Sequence, residues 1–419
     1  MMCFVLAFVF SCKKENTVIS SSGQTQWMRV LTDTISSSTD DELYPGENGK
    51  VLTNNADEIF LYYYVRALSQ TVLMKCDANG NAVWKKVFGN FIPCDMVLLN
   101  EGSIVISGTM ANKATMPWNK VYAIRPAGKI DSLYFSPAYY ANMKSSVNST
   151  LYALPDNSII LSGAFDAMNA PPSLYPCFVK ISPSFTIQWR TNVYTGFIFP
   201  APINYGQSSI IPTGNNQFLF QFAQSVPENF VDSCYFGLKT GLLNANGSLA
   251  SLTENPSGYF ISSTGQKSGT QNRYCNGLMH DGNGDIIYHY SSPRIFGNTP
   301  KVPSGFLRIG SDAKIKDTIP IPLPNGYRIV SCVQNNGDFL MTAYKTGAMQ
   351  GTNDFSAEHT LFLTGGSNWQ TTNTFTFQNF YADFFPSAAP TKDGGFIIMG
   401  KIQSFNGPTN KLILIKWKI

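Results

Sequence analysis

Three carboxylates in this chain are of the type needed for acid–base work on a sugar: Asp95, Asp383 and Glu228. Each falls on, or in a connection beside, a segment that reads as the first β-strand of a repeat. Glycoside cleavage uses two carboxyl groups about 5–10 Å apart across the scissile bond. Nothing in the spacing of these three pairs them, so only the fold could bring two together, and no catalytic residue is assigned. The three histidines offer no second route. His280, His289 and His359 lack an Asp/Ser partner at triad spacing or a second His at metal-ligand spacing, and are expected to be structural. Asp281-Gly282-Asn283-Gly284-Asp285 has the start of a calcium loop without the downstream bidentate Glu, and reads as a turn. No metal ligand and no cofactor is expected.

The segments that must position such residues are repeats. Seven times a polar turn opens into a run of β-formers, as in Lys392-Asp393-Gly394-Gly395-Phe396-Ile397-Ile398-Met399-Gly400. The first apolar residues of the seven runs are Ile59, Ile104, Ile159, Phe218, Ile286, Phe339 and Phe396, spaced by 45, 55, 59, 68, 53 and 57 residues. A period of that size marks a repeat architecture. The second copy shows four strands in order: 95–99, 103–108, 121–125 and 130–135, separated by Gly, Asn and Pro turns. Asn79-Gly80 and Asn246-Gly247 supply the positive φ of tight hairpins.

The chain ends on a third strand, 412–419, and the matching fourth strand stands at the other end, around Trp27-Met28-Arg29-Val30-Leu31. Together these features predict an all-β, seven-bladed β-propeller of four-stranded antiparallel blades, closed by the N-terminal strand completing the last blade. Closure removes open sheet edges, which invite aggregation. An open solenoid or stacked sandwiches are the alternatives. The 68-residue step leaves room for a degenerate eighth blade near 253–269, a stretch whose Asn255-Pro256-Ser257-Gly258 reads as loop.

Composition narrows the partners. Charged residues are 13% of the 419, against roughly 25% in ordinary globular chains, and aromatics are also 13%. The net charge of +4 is thinly spread, so no nucleic-acid-binding patch is expected. Cys76, Cys94, Cys177, Cys234, Cys275 and Cys332 have no CxxC spacing and fall in predicted strands, where thiols are expected to be buried. Aromatic clusters at Tyr62-Tyr63-Tyr64, Tyr139-Tyr140, Phe197-Ile198-Phe199 and Phe380-Tyr381 suit either a glycan or peptide platform or packing between sheets.

The N-terminus is organised differently. An apolar run, Cys3 to Phe10, is too short to span a bilayer and precedes Ser11-Cys12-Lys13-Lys14. Val9-Phe10-Ser11-Cys12 resembles a bacterial lipobox, although Phe10 is bulkier than usual and Met1-Met2 carries no basic residue. The resemblance implies a signal peptide over 1–11, lipidation at Cys12, a tether over 12–25 and a propeller domain over 26–419.

The Asp-Gly-Gly-Phe-Ile-Ile-Met-Gly strand, the Leu-Ile-Leu-Ile-Lys strand and the Asn-Gly-Asn-Ala-Val-Trp hairpin resemble repeats of secreted and lipoprotein β-propellers of Bacteroidota. Trp27, Trp84, Trp189 and Trp369 occupy a docking position that other repeats lack, which argues against a quinone cofactor. Asp33-Thr34-Ile35, Asp131-Ser132-Leu133 and Asp317-Thr318-Ile319 resemble the O-glycosylation triplet of the same group. These resemblances imply an outer-membrane lipoprotein of the cell envelope, held to the membrane by its lipid and meeting a glycan or an envelope protein. The expected function is a binding or scaffold module. The alternative is a carbohydrate-active hydrolase or lyase.

Overall fold

The structure, a computed structural model, describes residues 24–31, 43–44, 49–65, 68–110, 119–135, 149–166, 174–193, 204–205, 208–229, 233–263, 277–280, 285–290, 305–319, 327–335, 338–345, 356–365, 370–381, 387–403 and 410–418. These residues form strands and turns; there is no helix among them, and so none long and apolar enough to cross a membrane. Cys12, Asp383, Cys275, Tyr139-Tyr140 and Phe197-Ile198-Phe199 lie outside the described residues.

Short turns and alternating β-formers give antiparallel four-strand units. In the first sheet Lys50–Thr53, Ile59–Val65, Gln70–Cys76 and Ala82–Gly89 pair in order, with Leu43–Tyr44 adding a short extension on Ile59–Val65. The second is Phe91–Leu98, Ile104–Met110, Asn119–Ile124 and Ile130–Phe135. The third is Thr150–Ala153, Ile159–Asp166, Leu174–Ile181 and Ile187–Asn192. In the fourth, Ser209–Pro212, Gln217–Asn229, Ser233–Asn244 and Leu249–Ser263 pair, with Asn204–Tyr205 also on the second strand. The fifth is Gly277–His280, Ile286–Tyr290, Gly305–Ile309 and Ile315–Ile319.

The sixth sheet has eight strands in two halves. Tyr327–Asn335, Asp338–Lys345, Ser356–Gly365 and Gln370–Tyr381 make one half; Ser387–Pro390, Phe396–Gln403, Asn410–Lys418 and Gln24–Leu31 make the other. A single residue pair, Phe380↔Ile402, joins them. The N-terminal strand supplies the fourth place of the last half, with Gln24↔Lys418 at one end and Leu31↔Leu412 at the other. The 253–263 stretch, read above as loop, instead continues the fourth strand of its sheet: Tyr235↔Ile261 and Ser233↔Ser263 stay in register beyond a bulge. The polar composition that suggested a loop is tolerated because this is an outermost strand.

Burial explains the order within a sheet. The second strand Ile59–Val65 is buried at every position, whereas the fourth strand Ala82–Gly89 is largely exposed. A strand whose two faces are both covered by neighbouring sheets reads as a continuous apolar run. Each fully buried Leu, Ile or Phe there contributes roughly 1.5–3 kcal/mol. Apolar clusters fill the spaces between units: Phe60 and Tyr62 meet Phe91 and Ile106 between the first and second sheets, for example. At the far end of the order, Leu412, Leu414 and Met399 of the last half pack with Leu61, Val72 and Met74 of the first sheet.

One turn design recurs. Gly102 N donates to Leu99 O and Leu99 N to Ser103 O, and the same pair of bonds closes 77–81, 125–129, 154–158, 182–186, 244–248, 310–314 and 391–395. The fourth residue of each adopts positive φ, from Asn157 at 61° to Gly102 at 86°. All these turns join first to second or third to fourth strands, so they lie at one end of the sheets. The strand ends that border the longer connections, such as Met110, Phe135 and Ser263, lie at the opposite end.

Candidate functional site: a polar layer on the inner strands

Because each first turn fixes the register of its two strands, the five smaller sheets and the two halves of the sixth can be compared position by position. The pair lying three residues from the turn is Lys50↔Tyr62, Asp95↔Ser107, Thr150↔Ser162, Ser209↔Gln221, Gly277↔His289, Ser331↔Thr342 and Ser387↔Met399. Six of these seven first-strand positions carry a polar residue, and five of the second-strand ones carry Ser, Gln, His or Thr, with the core Tyr62 and Met399 at the other two. The layers between it and the turn are apolar: Val51, Leu52, Phe60 and Leu61 in the first sheet, Met96, Val97, Val105 and Ile106 in the second. The layer stands on the side of the core from which the long connections leave.

Hydrogen bonds join this layer from sheet to sheet. Val51 N donates to Ser387 Oγ at 3.1 Å, tying the last half to the first sheet. Lys50 Nζ lies 2.6 Å from Asp95 Oδ1, tying first to second. Leu151 N donates to Asp95 Oδ2 at 2.7 Å, and Ser149 Oγ to Ser107 Oγ at 3.0 Å, tying second to third. Ser162 Oγ and Thr150 Oγ1 both donate to Ser208 O, at 2.9 and 2.7 Å. Leu278 N donates to Ser209 Oγ at 3.2 Å, which reaches the fifth sheet. The buried Ser208 Oγ makes no hydrogen bond among the described residues, a state that marks a strain, solvent or ligand position.

Asp95 is the best-anchored member. Its side chain is 11% exposed, and besides Lys50 and Leu151 N it accepts from Met96 N at 2.8 Å. Close by, burial, with lesser help from the charges of Asp95 and Cys94, pushes the Tyr62 phenol well up, so it stays protonated. Burial also raises the Cys94 thiol, against hydrogen bonds with Ser149 and Thr109. The layer's described charges are thus Asp95 and Lys50, and the Lys50 side chain is 32% exposed.

Of the three carboxylates singled out from sequence, Asp95 alone has a described side chain. It is on a first strand as expected, but its oxygens serve bonds between sheets. Glu228 falls at a bulge in the second strand of the fourth sheet, between Pro227↔Cys234 and Asn229↔Ser233. Sequence reasoning passed over Lys50, Ser149, Thr150 and Ser209. The signal was present: each layer partner on a second strand lies three residues past the apolar residue that marks its repeat. Of the two readings of the Tyr62-Tyr63-Tyr64 cluster, packing between sheets is the one found: the three rings are buried at 1, 2 and 7% exposure and belong to the core. Among the described residues, no group of His, Cys, Asp and Glu could hold a metal ion.

No protein-family model matches the sequence, and no curated protein does. Among solved structures the chain is similar to the polysaccharide lyase Uly1, with a TM-score of 0.52 and 10% identity over 94% of this chain and 99% of that one. It is also similar to a PL25 ulvan lyase, with a TM-score of 0.48 and 10% identity over 89% and 94%. A Penicillium chrysogenum α-L-arabinanase gives 0.47 and 11% over 94% and 98%. At such identities the likeness concerns the fold. The class so defined is an all-β protein of repeated four-stranded antiparallel sheets, sharing its fold with a polysaccharide lyase over nearly the whole of both chains.

Proposed function

We propose that the chain is a seven-bladed β-propeller that acts on a polysaccharide as a carbohydrate-active enzyme, at the end of the sheets from which the long connections leave. The observation that carries this reading is the polar layer, which sets hydroxyls, an ammonium and a carboxylate on successive inner strands beneath that end. The fold likeness to a polysaccharide lyase supports the ligand class. Seven blades are counted by dividing the eight-stranded sheet at its one-residue joint, Phe380↔Ile402. Support for closure comes from the apolar cluster and the Val51–Ser387 bond that set the last unit against the first.

A second reading, binding without turnover, is favoured by one feature. Each oxygen of Asp95 already accepts a hydrogen bond that holds sheets together, which suits a structural carboxylate better than a proton shuttle. Under either reading we place the protein at the cell envelope, lipidated at Cys12. Gln24 starts its strand at the short-turn end, opposite Lys418. A tether entering there directs the short turns toward the membrane and the proposed site away from it.

The purified chain should be incubated with neutral, uronic-acid and sulfated polysaccharides. New reducing ends, or the ultraviolet absorbance of an unsaturated uronate, would establish the enzyme. Retention on a polysaccharide without product would establish the binding module, and neither would refute both.

A further inference from the structure

Lys50 differs from every other residue in the polar layer. The other first-strand positions carry an acid, Thr, Ser or Gly, and no second-strand position of the layer carries Lys or Arg, so Lys50 is the layer's ammonium. An ammonium has three donors and no acceptor. Asp95 Oδ1 takes one of them at 2.6 Å. That same oxygen also accepts from Met96 N, and Oδ2 accepts from Leu151 N. Two backbone amides therefore hold the carboxylate in place, and the ammonium keeps donors that Asp95 does not use. The geometry is fixed at the acid, which is buried, while the ammonium side keeps 32% exposure. A cation held in one place by a buried partner, with donors left over, is arranged to receive an anionic group of a ligand.

We infer that Lys50 is a specificity-determining residue that receives the carboxylate or sulfate of an acidic polysaccharide, with Asp95 holding it in position. This rests on the polysaccharide reading above and sharpens it to an anionic substrate. The remaining layer hydroxyls suit sugar hydroxyls, which both donate and accept.

The test uses the full chain and two probes of one backbone: polygalacturonate oligosaccharides and their methyl esters, which lack the charge. The wild type should bind the acid form about tenfold more tightly than the ester, the size of one charge-assisted hydrogen bond. Lys50→Met should remove that preference and Lys50→Arg should keep it. Lys314→Ala, an exposed turn position with 71% side-chain exposure, should change nothing. If the Lys50 variants do not fold, oligogalacturonate activated as its N-hydroxysuccinimide ester can be offered to the wild type and its adduct mapped by mass spectrometry. Acylation at Lys50 supports the assignment, and acylation only elsewhere overturns it. Equal binding of acid and ester, or a Lys50→Met variant that still discriminates, also overturns it. A neutral polysaccharide bound in preference would sink the charge assignment but leave the polysaccharide reading standing; no binding to any polysaccharide would sink both.

Discussion

The indole of Trp27 lies over Gly80, so close that a Cβ on that glycine would come within 2.8 Å of the ring. Trp27 belongs to the N-terminal strand and Gly80 to a hairpin of the first sheet, so the contact ties the strand paired with Asn410–Lys418 to the first sheet. Arg29 Nε donates to Asn79 O at 3.2 Å beside it. Trp189 stands over Gly247 in the same way, at 2.6 Å, with its Nε1 donating to Ala245 O. Gly80 also has φ +78°, where a side chain is strained. Gly80→Ala combines both penalties and should lower stability by about 2–4 kcal/mol. Chemical denaturation reads this directly; a loss under about 0.5 kcal/mol would mean that the Trp27 contact does not form.

Removing the acid of the polar layer should cost more than removing its cation. Asp95→Ala leaves Leu151 N and Met96 N without their acceptor, a loss of about 2–5 kcal/mol. Lys50→Met removes a partly exposed partner and should cost about 1 kcal/mol. The reverse order, in thermal or denaturant unfolding, would show that the amides do not depend on Asp95.

The four thiols with described burial, Cys76, Cys94, Cys177 and Cys332, should be unreactive in the folded protein. Burial pushes Cys76 and Cys177 up to about 11 and Cys332 higher still, and Cys94 is raised by the same cause. Only the thiolate reacts with disulfide reagents. Peptide mapping after native alkylation should find these thiols unmodified and find them labelled in denaturant. Rapid native labelling of Cys177 or Cys332 would contradict the packing described.

Stability should fall with acid. The Lys75 hydrogen bond holds Glu58 below its usual range, and that of Ser158 does so for Asp156. At Asp393 burial works upward, but hydrogen bonds from Thr391 and Lys416 outweigh it and the carboxyl is lowered. Groups lowered in the folded state contribute fully above their unfolded values, near pH ~4, and lose that contribution as pH drops through the folded values. The unfolding temperature should therefore be level above about pH 5 and decline below it, less steeply in a Glu58→Gln/Asp156→Asn/Asp393→Asn triple variant. An unchanged acid limb in that variant would place the titrating groups elsewhere.

Much of the architecture was legible because the turns punctuate it. Asp393-Gly394-Gly395, Asn79-Gly80 and Asn246-Gly247 announce their own conformation, and the alternation after them announces the strands. Trp27 and Trp189 could be recognised as docking residues because their glycine turns recur. The N-terminal strand could be placed because Gln26-Trp27-Met28-Arg29-Val30 reads like the fourth strand Val83-Trp84-Lys85-Lys86-Val87. Three things were less visible. Nothing local tells that Leu249–Ser263 runs on past Pro256, since edge pairing tolerates a polar stretch. The chemistry of Asp95 depends on Lys50 and Leu151, 45 and 56 residues away, and only strand register brings them together. Tyr62 and Tyr63 are adjacent in sequence, yet face opposite neighbouring sheets, and each sheet covers its share.

The most direct measurement is hydrogen–deuterium exchange of the full chain with and without saturating oligogalacturonate. Added protection should centre on residues 49–51, 91–96 and 149–151, where the polar layer meets the end of the sheets that carries the long connections. Protection confined to the short turns at 77–81, 125–129 and 182–186, or no protection with any polysaccharide tried, would contradict the site proposed here.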